Sequence, residues 1–499
     1  MKTFIFLVLM LVIGISLAKN PGIRIRLTDN GLAYAAKITK DILHDKIKKL
    51  HINDINGRAD TPIGHISYSL SSMTVNSFSI PTLTLKTKPS VGLELSVAGV
   101  YMDMSGHWHY RKDHWPHIKD SGSFSLKANG ISFDALVKIG ANSEGHPTIA
   151  PAGCSSSVGG VDVHFSGGAS WLYNLFSGQI EHSIKGSLQS EMCKAANSAI
   201  TDQGAKSFAR FPVKKKLDKF TYIDYSLISS PNTTASFVDV LLKGEFESVA
   251  HPSEAPFSPE PLPIDSESSS MVYGWITDYM FNTAGFAYMR AGFLNHTFTP
   301  DDFPKNSTYT LSTKTFKKLI PPLYEKYPNR PMKLKVYATT IPNVTSETSG
   351  ISLLSECNIE MYVDLANGSS AYTLTLGLTI QVTLKLNFKQ TNLTVHSTFL
   401  RLKAILVRSA IGDIERYVEG LQFFLDFIVN GKIMQKVNER GAKGFPLPLN
   451  DGMKLVNPRI RSGKSFILVS SDVSYTPSED SLEDEEKINY YGSRKIPIV

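Results

Sequence analysis

Between Ser105 and Lys119 the chain reads Ser-Gly-His-Trp-His-Tyr-Arg-Lys-Asp-His-Trp-Pro-His-Ile-Lys, fifteen residues holding four imidazoles, two indoles and three cations. His107 and His109 would share one face of a strand, and His114 and His117 follow the turn, so metal ligation is one chemistry to weigh. No cysteine or well-placed carboxylate completes such a set, and no metal is expected. Trp108 and Trp115 suit a water–lipid boundary, where an apolar ring with a polar edge is stabilised. Arg111, Lys112 and Lys119 could meet phosphate, with Asp113 and Asp120 offsetting two of them. A second basic run, Lys214, Lys215, Lys216 and Lys219, could do the same or form a solvated edge. Catalytic signatures fail. Gly463-Lys464-Ser465 resembles the end of a phosphate-binding loop, but Pro458 stands where its first glycine must be. No Gly-x-Ser-x-Gly elbow occurs, so no enzyme and no cofactor are expected.

The elements that would position these residues are strands. Ile66, Tyr68 and Leu70 alternate with serines; Val91, Leu93, Leu95 and Val97 again take every second position, and Ile131, Phe133, Ala135, Val137 and Ile139 repeat the pattern. From Tyr372 to Phe388 nine apolar residues occupy every second position. At about 3.3 Å per residue that strand would be on the order of 55 Å long, and sheets of such strands must twist and coil. Helical periodicity marks three places: Leu32 to Leu50, Leu172 to Ile184, and Ile414 to Ile428. The expected class is α+β, each half a long antiparallel sheet rolled around amphipathic helices.

Met1 to Ala18 reads as a secretory leader, with Lys2, an apolar run from Phe4 to Ile15 and a small-residue cleavage site. A secreted, extracellular protein is expected. Roughly 480 residues then remain, enough for two domains of about 230. The bounds read from the sequence are residues 19–245, a Pro/Ser-rich linker at 246–270, residues 271–475, and an acidic tail at 476–499. Asn30-Gly31-Leu32-Ala33-Tyr34 is echoed by Ala284-Gly285-Phe286-Ala287-Tyr288, each taken to open a helix at the head of its half. Charge is uneven: Lys19 to Ser230 carries 24 basic against 17 acidic residues, and Pro231 onward 27 against 28. An anionic partner should therefore meet the first half, in a salt-sensitive way. Glycosylation sequons stand at Asn232, Asn295, Asn306, Asn343, Asn367 and Asn392, none before position 232. Three cysteines, Cys154, Cys193 and Cys357, allow one disulfide and one free thiol.

Several segments resemble the family of bactericidal/permeability-increasing protein and lipopolysaccharide-binding protein: Asn20-Pro21-Gly22-Ile23-Arg24-Ile25-Arg26, the Asn30-Gly31-Leu32 opening, Gly145 to Cys154, Met271 to Gly285, and Lys443-Gly444-Phe445-Pro446-Leu447-Pro448. They run in order from Asn20 to about Tyr475. The resemblance implies a boomerang of two barrels joined by a central sheet, each barrel with an apolar pocket for phospholipid acyl chains. It also implies a Cys154–Cys193 disulfide, leaving Cys357 unpaired, buried and inert. Ser105 to Lys119 falls where such proteins carry a membrane-facing hairpin, giving Arg58, Trp108, Arg111, Lys112, Trp115 and Lys119 as the candidate tip.

The tip departs from the family's lysine-rich pattern. Four histidines, together with Asp60 and Thr61 after Arg58, stand where lysines would strengthen phosphate attraction. Ordinary histidines are largely neutral at pH 7, so attraction should be modest there and stronger below about pH 6. The expected function is binding of the lipid A part of lipopolysaccharide on Gram-negative outer membranes, with bactericidal or permeabilising action. The alternative is a phospholipid carrier without antimicrobial action. Neither involves nucleic acid, and a monomer suffices for both.

Overall fold

The computed structural model describes residues 20–47, 54–62, 64–168, 177–302, 310–389, 392–430, 434–446 and 452–476. The leader, the acidic tail and Asn306 lie outside them. The chain enters on β1 (Ile23–Thr28) and passes directly into α1 (Asp29–Ile47). Seven strands follow: β2 (Ile55–Thr61), β3 (Gly64–Ser79), β4 (Thr82–Lys88), β5 (Gly92–Lys112), β6 (Lys119–Ala141), β7 (Pro147–Ser157) and β8 (Gly160–Ser166). They form one antiparallel sheet in the order β2-β3-β5-β6-β7, with β4 on β5 and β8 on β6. α2 (Ser177–Ser198) packs against β2, β6, β7 and β8 and so spans both ends of this sheet. A π-helical turn (Ala199–Gly204) and α3 (Ala205–Ala209) complete this half.

Next come β9 (Lys214–Lys216), β10 (Thr221–Asp224), β11 (Asn232–Thr233), β12 (Phe237–Leu242) and β13 (Glu245–Ser248). The second half repeats the opening move, β14 (Val272–Thr277) into α4 (Asp278–Arg290). β15 (Asn295–Phe298), α5 (Pro321–Lys326), β16 (Met332–Ala338), β17 (Asn343–Glu347), β18 (Gly350–Asp364), β19 (Ser370–Lys389), β20 (Asn392–Ser409), α6 (Val418–Ile428), α7 (Met434–Gly441) and β21 (Phe445–Pro446) build the second large sheet and its helices. Its strand order is β15-β16-β18-β19-β20-β21, with β17 on β18. β19 is the long alternating strand of the sequence: Leu374, Leu376 and Leu378 are buried, as is Leu421 of α6 in the same core. Finally β22 (Met453–Gly463) and β23 (Phe466–Tyr475) return to the middle.

The middle is a six-stranded sheet drawn from both halves, β11-β12-β1-β14-β23-β22. Residues 23–28 and 232–242 therefore belong to this seam and not to the first barrel, and β9, β10 and β13 form a separate small sheet beside it. β1 and β14 pair antiparallel, Ile25 opposite Gly274. Around that point the contacts are reciprocal: the Thr28 N–H donates to the Met271 carbonyl at 3.1 Å and the Thr277 N–H to the Gly22 carbonyl at 3.0 Å. The internal repeat is thus a six-residue strand ending in threonine, followed by an aspartate that starts a helix. The pentapeptide echo corrects accordingly: Gly31 lies in the first turn of α1, whereas Gly285 lies deep within α4.

Arg26 holds the seam. Its Nε and Nη2 donate to the two Asp239 carboxylate oxygens at 2.8 and 2.9 Å, and Nη1 donates to the Asp265 carbonyl at 2.6 Å. The guanidinium lies 3.5 Å from the Phe237 ring centroid, while Arg24 sits 3.9 Å from that of Trp275. Arg24 also donates to the Pro263 carbonyl and Asn20 to that of Pro259, so the proline-rich connection is strapped onto the sheet it crosses. Arg26 is 2 % exposed, which makes its neutralisation by Asp239 obligatory. Arg26→Met should lower unfolding stability by about 3 kcal/mol, because a buried carboxylate is left without its partner, and Arg26→Met with Asp239→Leu should recover most of the loss. Denaturant titration followed by tryptophan fluorescence reads both. Cys154 of β7 and Cys193 of α2 are joined in a disulfide spanning 39 residues, and replacing both by alanine should cost about 4 kcal/mol in the same assay.

Candidate functional site

The candidate tip is built by two bulges. β5 carries an extra residue against β6 between Val97 and Val100, with Gly99 at φ +70°, and β6 carries one between Ile131 and Ala128, with Gly130 at φ +61°. Each bulge reverses which parity of the strand faces the core. Beyond Gly99 the even residues Met104, Trp108 and Tyr110 point inward, and His107, His109 and Arg111 point to solvent. Trp108 is therefore a core residue, 3 % exposed, which corrects its assignment to a membrane interface. Its ring stacks on Tyr110 at 5.8 Å and meets Phe165 edge-on at 6.3 Å. Its Nε1 donates to the Ser123 carbonyl at 3.0 Å.

Trp115 has the opposite environment. It is 85 % exposed at the apex of the β5–β6 turn, after which the Trp115–Pro116 peptide is cis and Ile118 is 41 % exposed. The Lys112 N–H donates to the Ile118 carbonyl at 2.8 Å and closes the turn. Arg111 and Lys119 stand directly opposite each other, both exposed. Two like charges in register repel, and an anion lying between them would relieve that repulsion.

The β2–β3 hairpin buttresses this apex. The Asp113 N–H donates to the His65 carbonyl at 3.1 Å, the Ser67 hydroxyl donates to the Asp113 carboxylate at 2.9 Å, and Arg58 Nε lies 3.2 Å from the same carboxylate. Asp113 therefore offsets Arg58, a pairing across two hairpins that the sequence did not reveal. His65 pairs with Asp60 and meets the His114 ring edge-on at 6.4 Å, so His65 joins the tip although sequence reasoning passed over it. The signal for it was its place beside the β2–β3 turn, which only the sheet register brings to the β5–β6 apex. Among the described residues no three His, Cys, Asp or Glu side chains gather as a metal-binding set.

The second basic run forms β9. Lys214 lies 3.4 Å from Asp224 and 3.6 Å from Glu247, and Lys219 sits 4.8 Å from the Phe220 ring. The neighbouring Lys243 is ringed by Glu245, Glu247 and Asp224; burial pulls its ammonium down, but these carboxylates outweigh burial and hold it above its ordinary range. This part of the surface is internally neutralised and differs in that from the tip. Cys357 is half-buried on β18, and burial pushes its thiol up to about 11, an unreactive thiol at neutral pH. Of the described sequons, Asn232, Asn295, Asn343 and Asn367 are exposed, while Asn392 is half-buried and its Nδ2 donates to the Lys443 carbonyl at 3.3 Å.

No described helix is long and apolar enough to cross a membrane. Residues 31–202 match the model of the LBP / BPI / CETP family N-terminal domain, and residues 215–475 match that of its C-terminal domain. The chain is 31% identical to a bactericidal permeability-increasing protein of Sebastes schlegelii over 472 residues, covering 94% of this chain and 99% of that one. It is likewise 31% identical to a lipopolysaccharide-binding protein of Bos taurus, covering 92% and 95%. The fold superposes on the crystal structure of a lipopolysaccharide binding protein with a TM-score of 0.60 at 30% identity, over 92% of this chain and all of that one. With both domain models matched in order across the two barrels and their shared sheet, this chain belongs to the LBP / BPI / CETP family.

Proposed function

We propose that the chain is a secreted protein that binds the lipid A part of lipopolysaccharide and permeabilises Gram-negative outer membranes. The observation that carries this reading is the apex of the β5–β6 hairpin, where Trp115 and Ile118 project into solvent beside the facing cations Arg111 and Lys119. An indole and an isoleucine enter the boundary between headgroups and acyl chains, and the paired cations take phosphate. The name of the Bos taurus relative gives lipopolysaccharide as its ligand and that of the Sebastes schlegelii relative gives a bactericidal, permeability-increasing action, which supports this reading.

The concave faces supply the second element. Leu83, Met102, Phe133, Val163 and Phe165 in the first barrel, and Leu334, Ile380, Leu400 and Leu406 in the second, line the cores yet stay only half covered. An acyl chain laid against such a face gains about 0.8 kcal/mol per methylene, on the order of 10 kcal/mol for sixteen carbons before the cost of ordering.

A carrier of phospholipid without antimicrobial action is the second reading, and the pairing of Arg58 with Asp113 favours it by leaving fewer cations for phosphate. Two measurements separate them. Binding to lipopolysaccharide should exceed binding to phosphatidylcholine vesicles and weaken as salt rises. Equal, salt-insensitive binding to both with no killing of Gram-negative cells would establish the carrier. Trp115→Ala should weaken vesicle binding roughly tenfold or more with unchanged thermal stability, whereas Trp108→Ala should cost about 3 kcal/mol of stability. Vesicle sedimentation and thermal unfolding read these two variants, and equal behaviour would remove the tip from the mechanism.

A further inference from the structure

A strand at the end of a sheet presents unpaired N–H and C=O groups that invite pairing with another chain, and proteins block such edges with helices, proline, bulges or lysine. Most terminal strands here carry one of these devices. β2 and β7 lie under α2, and β7 is further tied to it by the Cys154–Cys193 disulfide and by the Ser156 hydroxyl donating to the Gln189 carbonyl at 3.0 Å. β13 is covered by α4, whose Thr283 hydroxyl accepts the Phe246 N–H at 3.0 Å. β9 is three exposed lysines, which gives the Lys214–Lys216 run a reason apart from ligand binding. β22 has Pro458 inside a register break, flanked by Lys454, Arg459 and Arg461, and β21 is two residues ending in Pro446.

Among the described residues one terminal strand lacks all of these. β15 pairs with β16 alone, whereas β11 is only two residues following Pro231, and its Thr233 hydroxyl donates to the Lys88 carbonyl at 3.3 Å. The Ala338 N–H donates to the Leu294 carbonyl at 3.0 Å, so by the alternation of an antiparallel ladder the Thr297 N–H and C=O turn outward. This strand begins with the exposed asparagine of a sequon, Asn295-His296-Thr297. Asn343 also begins a strand, but the edge of β17 is already taken: Asn282 and Asp278 of α4 bond the main chain of Val344 and Ser346.

We propose that an N-linked glycan on Asn295 guards this edge and keeps the chain from joining copies of itself strand to strand. The proposal rests on the secreted reading, since the sugar is added in the secretory pathway. There the Asn Nδ2 forms a bond to the anomeric carbon of a lipid-diphosphate-linked oligosaccharide. The bond from that carbon to the diphosphate breaks, one amide proton is lost and the lipid diphosphate departs. The hydrated glycan excludes an approaching strand sterically, as a helix does on β2. The absence of sequons before position 232 then follows, because the first barrel closes its edges with α2.

The test uses the full chain made in a eukaryotic secretory host, with occupancy read by peptide mass spectrometry and association by size-exclusion chromatography with light scattering. Thr297→Ala removes the sequon while keeping the asparagine, and should raise the oligomeric fraction roughly tenfold. Asn343→Gln with Asn367→Gln should leave it unchanged. Thr297→Lys removes the same sequon but should lower the oligomeric fraction again, since lysine restores a guard on β15; that rescue distinguishes edge pairing from misfolding. Empty Asn295 beside occupied Asn343 and Asn367 overturns the proposal and leaves the secreted reading intact. An occupied site whose removal changes nothing, or a lysine without effect, overturns it equally.

Discussion

The architecture depends on pairing β1 with β14, because that seam is where two halves become one sheet. Antiparallel pairing lets each strand run outward into its own helix, and the reciprocal bonds of Thr28 and Thr277 satisfy, in each half, a main-chain donor using the other half's carbonyl. A seam so placed must bury the cations of its own first strand. Asp239 neutralises Arg26, aromatic faces lie beside both arginines, and the Asp265 and Pro263 carbonyls of the proline-rich connection accept from Arg26 and Arg24. The connection is therefore part of the sheet's polar satisfaction, and its prolines, which cannot donate, leave carbonyls free to accept.

From this frame the first barrel projects its long hairpin, and two glycines decide what that hairpin shows. With φ near +60 to +70°, Gly99 and Gly130 absorb one extra residue on each strand, and side-chain parity reverses at both. Without them His107 and His109 would face the core and Trp108 the solvent. The apex itself, with Trp115 and Ile118 outward and Asp113 clamped by Arg58 and Ser67, is held by the shorter hairpin beside it.

Much of this was legible in the residues. The alternation from Tyr372 to Phe388 marked β19, and the helical periods marked α1, α2 and α6, because burial on one face imposes a period that composition cannot hide. Trp108 was misread because the alternation ending at Val97 was not carried through the bulge, and a glycine alone does not announce an extra residue. The seam was hidden for another reason: segments 239 to 255 residues apart in sequence, as Arg26 and Asp265 or Gly22 and Thr277 are, leave no local pattern. The echo of Asn30–Tyr34 in Ala284–Tyr288 drew attention to helix interiors, whereas the repeated unit is the shorter strand-threonine-aspartate step, too common a composition to stand out.

The two-sided ladder of β5 has a consequence for how such a protein can change. Core-facing Met104, Trp108 and Tyr110 interleave with outward His107, His109 and Arg111, so one stretch of chain carries two alphabets under separate constraints. Substitution of the outward letters alters surface charge while leaving packing untouched. A lineage can thus exchange lysine for imidazole along the same ribbon and acquire a new chemical taste without relearning how to fold.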